Sequence, residues 1–158
     1  PNFENIKTVG VFVNETVDNL VTIAKEVNLD AVQLHGDEDE AFIQALKEKT
    51  DVEVWKAVQI RSAVDAEAWI DSSADMLLFD AYHKDERGGT GEVFDWSCLD
   101  EFERPFMLAG GLDSTNVARA IRTVRPYGID ISSGIETNGV KDDEKIKTFT
   151  NIVRIIAH

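Results

Sequence analysis

The chain has little cysteine, proline or positive charge, and it has no long apolar run. Cys98 is the one cysteine among 158 residues, so no intrachain disulfide can form and no cysteine–histidine metal spacing exists. A lone thiol fits a reducing cytoplasm, which is the location expected here. No apolar stretch reaches the ~18–20 residues that span a bilayer. Residues 1–5 are polar and lack the basic start of an export signal, so no membrane association is expected. The three prolines, Pro1, Pro105 and Pro126, stand at the start and just before two apolar runs, where they interrupt nothing. Lys and Arg number 16 against 30 Asp and Glu, a net charge of −14. That excess repels nucleic acid and anionic membrane surfaces. It does not exclude a small anion, because backbone N–H groups and a helix terminus hold phosphate without bulk positive charge. Neither a Walker loop nor a GxGxxG motif is present.

What the chain does have is a repeat. Short apolar or β-branched runs occur at Thr8–Val13, Ala31–Leu34, Val52–Ile60, Asp75–Phe79, Phe106–Ala109 and Gly128–Ser132. Their starts lie roughly 20–30 residues apart, the length of one βα unit. The runs are nearly continuous rather than alternating, as in parallel strands covered on both faces. Helical spacing lies between them. Val17, Leu20, Val21, Ala24 and Val27 form one stripe, and Ala41, Phe42, Ala45 and Leu46 a second. Val117, Ala118 and Ile121 form a third, and Ile146, Phe149, Ile152, Val153 and Ile156 a fourth. Asp37 with Glu40 reads as a capping box, and Asp113 or Ser114 as the cap after Gly110-Gly111. The unit after Asp80 is irregular, with a glycine-rich loop over 85–95 and the start of a weak helix at Phe94–Leu99. Alternating β and α predicts an α/β fold with a parallel sheet. A doubly wound sheet and a (βα)8 barrel compete. Length favours the sheet, since barrels usually need about 250 residues.

Chemistry in such folds gathers past the C-terminal ends of the strands. The residues found there are Asn14; Gln33, His35 and Gly36; Gln59 and Arg61; Asp80 with Tyr82, His83 and Lys84; Gly110 and Gly111; and Asp130, Ser132, Ser133 and Gly134. Gly110-Gly111 and Ser133-Gly134 follow the last two strands, where barrels commonly bind phosphate, and glycine lets backbone N–H groups approach a ligand closely. Either pair alone would be no more than a tight turn. Asp80 closes an apolar run, where a carboxylate is costly unless it faces an open site; there it could act as a general acid. His35 could contact a ligand or merely cap a turn. Cys98 reads as a packing residue, with no adjacent histidine to activate it.

These segments resemble one family. Val9-Gly10-Val11-Phe12-Val13-Asn14, Val32-Gln33-Leu34-His35-Gly36 and Leu78-Phe79-Asp80 are similar to the third, fourth and sixth strands of phosphoribosylanthranilate isomerases. Gly88-Gly89-Thr90-Gly91 followed by Phe94-Asp95-Trp96 continues the match. Leu108-Ala109-Gly110-Gly111-Leu112 and Asp130-Ile131-Ser132-Ser133-Gly134-Ile135-Glu136 resemble the seventh and eighth strands. The resemblance implies an α/β, TIM-type (βα)8 barrel of which strands three to eight are present, a single domain over 1–158 that is N-terminally incomplete. It implies an Amadori rearrangement of phosphoribosylanthranilate to carboxyphenylamino-deoxyribulose phosphate, without cofactor or metal, on a small phosphosugar substrate in tryptophan biosynthesis. Asp80 then matches the general acid. His35 and Asp130 match substrate-binding residues, and Gly110, Gly111, Ser133 and Gly134 the phosphate site. The family's general base, a cysteine on its first strand, and its anthranilate-binding arginine have no counterpart among these residues, and Cys98 lies too far along to replace the base.

Two further expectations follow. Without the first two units the edges at Thr8–Val13 and Gly128–Ser132 are apolar and unpaired, so a stable chain of this extent is expected to be an oligomer or to close differently. The competing reading is an inactive barrel fragment that keeps a phosphate site and lacks the base. Other phosphate-binding barrels fit less well: an epimerase wants metal-binding His/Asp pairs and His35 stands alone, while indole-glycerol-phosphate synthase wants lysine and glutamate at strand ends.

Overall fold

The computed structural model describes residues 4–81 and 94–157. Within them six strands run in parallel in the order of the chain. They are β1 (Val9–Phe12), β2 (Ala31–Leu34), β3 (Glu53–Gln59), β4 (Met76–Asp80), β5 (Phe106–Ala109) and β6 (Gly128–Ile129). The hydrogen-bonded order is β1-β2-β3-β4-β5-β6, with no reversal. A doubly wound sheet reverses its strand order at a switch point, so the open-sheet alternative is set aside. Helices α1 (Val17–Val27), α2 (Glu40–Lys49), α3 (Ala63–Glu67), α4 (Val117–Val124) and α5 (Asp143–Ala157) intervene. A hairpin of β7 (Glu136–Thr137) and β8 (Val140–Lys141) precedes α5. The chain forms two compact units, Pro1–Val58 with Asp71–Leu78, and Gln59–Ile70 with Phe79–His158.

In the first unit β2 lies between β1 and β3, and all four of its residues are buried. Val9 pairs with Ala31 on one side and Glu53 with Ala31 on the other. Leu20 and Ala24 of α1 and Ile43 and Leu46 of α2 are buried with Val32, Leu34, Val54 and Leu77. Burying such side chains stabilises by roughly 1.5–3 kcal/mol each. Helix α1 starts at Thr16, whose hydroxyl accepts the Asn19 N–H, and it stops at Asn28, which takes the left-handed conformation at φ 58°. Helix α2 is capped by Asp39, which accepts the Phe42 N–H at 2.9 Å. The box expected at Asp37 therefore starts too early in the chain: Asp37 instead donates its N–H to Asn14 Oδ1. Glu40, assigned to that box, turns away. It accepts hydrogen bonds from Ser72 Oγ at 2.7 Å and the Ser73 N–H at 2.8 Å, fixing the approach to β4. Burial alone would raise its pKa, but the bonds from Ser73, Ser72 and Gln44 dominate and lower it to about 2.

In the second unit Phe79, Phe102 and Phe106 form an aromatic cluster, with ring centroids 5.0 Å apart for Phe79 to either partner. Val117, Ala120 and Val124 form the buried stripe of α4. The cap expected at Asp113 or Ser114 falls instead at Asn116, because Asp113 spends its carboxylate on Thr115 in the preceding turn. The weak helix expected after the glycine-rich loop is a 3-10 turn, Trp96–Leu99, with Arg119 5.0 Å above the Trp96 ring. The last parallel strand is shorter than its apolar run. β6 ends at Ile129, so Asp130 and Ser132 lie beyond it rather than within it. Among the described residues no helix is long and apolar enough to cross a membrane.

Candidate active site

In the second unit, backbone hydrogen bonds align the ends of three neighbouring strands. Asp80 is the final residue of β4 and half-buried, and its carbonyl accepts the Ile60 N–H at 3.0 Å. One residue on, the Ala81 N–H donates to the Ala109 carbonyl at the end of β5. The Asp130 N–H donates to the Leu108 carbonyl at 2.9 Å, extending the β5–β6 pairing by one residue past the strand. Asp80, Gly110 and Asp130 thus leave three adjacent strands at the same end.

The turn after β5 needs glycine. Gly110 has φ 95° and Gly111 φ 63°, a region that is strained for any residue with a Cβ. Asn116 braces this turn from the start of α4: its amide donates to the Gly111 carbonyl at 2.8 Å and its Oδ1 accepts the Asp113 N–H at 2.9 Å. The turn after β6 is a 3-10 turn, Ser133–Ile135. Here glycine is required by contact. A Cβ on Gly134 would lie 1.9 Å from the Leu112 carbonyl oxygen, so the loops after β5 and β6 touch backbone to backbone. Lys141 of β8 braces the second loop, donating to the Ser132 carbonyl at 2.8 Å and pairing with Glu136. The four residues read from the sequence as one phosphate cradle are in this way brought together. Asn116 and Lys141, which support it, carried no pattern that would single them out.

In the first unit His35 immediately follows β2 and is exposed. Its N–H donates to the Phe12 carbonyl at 2.8 Å, and its Nε2 lies 2.6 Å from the Gln33 amide nitrogen. With the ring proton on Nδ1, Nε2 accepts from Gln33 and Nδ1 is a donor. Behind His35 lies a polar group the sequence did not flag. Lys56 and Glu38 are buried as an ion pair, 3.2 Å from Nζ to Oε1, with side chains 4% and 2% exposed. Burial would raise the Glu38 pKa. Hydrogen bonds from the Asn14 N–H and Lys56 outweigh it, and the carboxyl stays below its ordinary range.

Two other readings resolve differently. Tyr82, His83, Lys84 and the run Gly88-Gly89-Thr90-Gly91 lie outside the described residues. Cys98 sits half-buried in the 3-10 turn; burial, with Asp95 nearby, pushes its thiol pKa up. A thiol held protonated in this way is a poor base. Among the described residues no group of three or more His, Cys, Asp or Glu is placed to hold a metal ion.

Parallel βα units in chain order, with polar and glycine residues gathered past the strand ends, define a (βα)-barrel protein. The N-(5'phosphoribosyl)anthranilate (PRA) isomerase family profile matches residues 2–152. The N-(5'-phosphoribosyl)anthranilate isomerase of Endomicrobium trichonymphae is 47% identical over 151 residues, covering 96% of this chain and 74% of that protein. The crystal structure of phosphoribosyl anthranilate isomerase from Thermotoga maritima superposes with a TM-score of 0.82 at 37% identity, over 96% of this chain and 74% of that one. A phosphoribosyl anthranilate isomerase in complex with reduced 1-(o-carboxyphenylamino)-1-deoxyribulose 5-phosphate superposes at 0.79 with 34% identity, over 96% and 73%. The chain belongs to the phosphoribosylanthranilate isomerase family, enzymes of tryptophan biosynthesis, and it carries six parallel strands of their TIM-type barrel. It spans about three quarters of the length of these relatives.

Proposed function

We propose that this chain supplies the acid and the phosphate cradle of an aldose–ketose isomerisation, the Amadori rearrangement of N-(5-phosphoribosyl)anthranilate. The observation that carries the reading is the contact of the β5 and β6 loops at Gly134 and Leu112, next to the strand that ends in Asp80. Backbone N–H groups of the two loops bind the substrate phosphate. Asp80 protonates the ribose ring oxygen. The C1–O bond then breaks while the anilino nitrogen lone pair forms a C1=N iminium, and protonation spares the leaving oxygen a full negative charge. A base takes the C2 proton, and the resulting enolamine settles to the 2-ketose. Cys98 is not that base, because burial keeps its thiol protonated and it lies beyond the strand that ends in Asp80. Asp130 and His35 contact the substrate. The reaction needs no cofactor, since both redox changes occur within one molecule. The protein works in the cytoplasm as an oligomer. The relatives named above give no support to a barrel without turnover.

The test is the intact protein with Asp80→Asn. Loss of phosphoribosylanthranilate fluorescence should slow at least about a hundredfold, while the reduced carboxyphenylamino-deoxyribulose phosphate still binds. Turnover retained within a few fold would remove Asp80 from the mechanism.

A further inference from the structure

The Lys56–Glu38 pair is expensive to bury. Two charges lose their hydration, and apolar side chains of similar volume commonly give equal or better stability. Its contacts suggest a different use. Lys56 stands on β3 level with Leu34, the residue before His35. Its Nζ donates to the Gly36 carbonyl at 2.8 Å and to Glu38 Oε1 at 3.2 Å. The same Oε1 accepts the Gly36 N–H at 2.7 Å, and Oε2 accepts the Asn14 N–H at 2.9 Å. Gly36 is thereby held by its N–H and its C=O at once, by charged partners, whose hydrogen bonds are shorter and stronger than neutral ones. It has no room to shift toward the β1 loop either, since a Cβ there would meet Asn14 Oδ1 at 2.3 Å. Asn14 is in turn tied to Asp37.

We propose that Lys56 and Glu38 are positioning residues for substrate binding: their buried pair clamps the peptide units of Gly36 and so fixes where the His35 imidazole stands. The inference rests on the reading of His35 as a substrate contact. A displacement of about 1 Å at such a group is enough to weaken its interaction severely.

The experiment uses the intact protein and the reduced carboxyphenylamino-deoxyribulose phosphate as probe. Four forms are titrated: wild type, His35→Asn, the double variant Lys56→Met/Glu38→Leu, and the triple variant. The double variant removes both charges and keeps apolar volume, but it leaves the Gly36 and Asn14 N–H groups and the Gly36 carbonyl without these partners, so its thermal midpoint should fall. Its affinity for the probe should fall about tenfold, with KM rising by a similar factor and kcat unchanged within about twofold. The triple variant should be no weaker than the double by more than about twofold, since the clamp acts through His35. Wild-type affinity in the double variant, or losses that multiply in the triple, would overturn the proposal while leaving His35 a contact. If His35→Asn alone binds like wild type, the reading of His35 fails and the clamp's function fails with it. Should the double variant not fold, Glu38→Gln serves instead. It keeps the shape but offers one carbonyl acceptor where three donors converge; weaker binding supports the clamp, and wild-type affinity refutes it.

Discussion

At the scale of single residues, the most restrictive position is Gly134. Its α-hydrogen faces the Leu112 carbonyl where a methyl carbon would sit at 1.9 Å. Gly134→Ala must therefore push the β5 and β6 loops apart, and forced overpacking of this kind typically costs about 1–3 kcal/mol. Urea unfolding should show that loss, and a titration with inorganic phosphate should show weaker binding than wild type. Gly139, whose Cβ would meet nothing within 4 Å, is the control: Gly139→Ala pays only for its positive φ and should leave phosphate binding unchanged. Residues such as Gly134 and Asp80 are legible in the sequence itself, because each apolar run ends on a distinctive side chain or glycine. Glu38 is not. It is one of four consecutive acids, Asp37-Glu38-Asp39-Glu40, and no local rule separates them. The fold assigns each a different task, a loop tie, a buried pair, a helix cap and a latch on the β4 approach. Only tertiary contact makes that choice.

At the scale of elements, the strands fall close to their apolar runs, and the four longer helices close to their stripes, since burial on two faces or one leaves a period in the residues. Caps and short elements are less legible. α3 has five residues, too few for a stripe, and it is fixed by the Asp65 carboxylate reaching back to the N–H groups of Arg61 and Ser62. β6 is short because the chain turns into the Ser133–Ile135 loop before its apolar run is spent. Two measurements bear on this scale. Asp39→Ala should cost about 1 kcal/mol through loss of the α2 cap, and Asp37→Ala, which leaves that cap intact, should cost less in the same urea titration. Glu40 has its pKa lowered to about 2 in the folded chain. A depressed carboxyl stabilises above its unfolded value of 4.5 and loses that contribution as pH falls toward 2. Thermal midpoints of wild type should therefore fall between pH 4.5 and 2 more steeply than those of Glu40→Gln.

At the scale of the molecule, a net charge of −14 over these residues meets a substrate that carries a phosphate and a carboxylate. The long-range field opposes their encounter, and salt screens it over a Debye length of about 10 Å at 0.1 M. The association rate of the reduced carboxyphenylamino-deoxyribulose phosphate should therefore rise, not fall, between low and moderate ionic strength in stopped-flow mixing. A fall would mean that local positive potential at the site governs approach. The glycine turn after β5 bears on a related question. A cradle made of peptide N–H groups, as proposed here, has no side chain that gains or loses a proton between about pH 5 and 9. Whatever pH dependence phosphate binding shows in that range then belongs to the guest: it should track the second ionisation of the phosphomonoester, near about pH 6, and stay put when neighbouring acids are substituted.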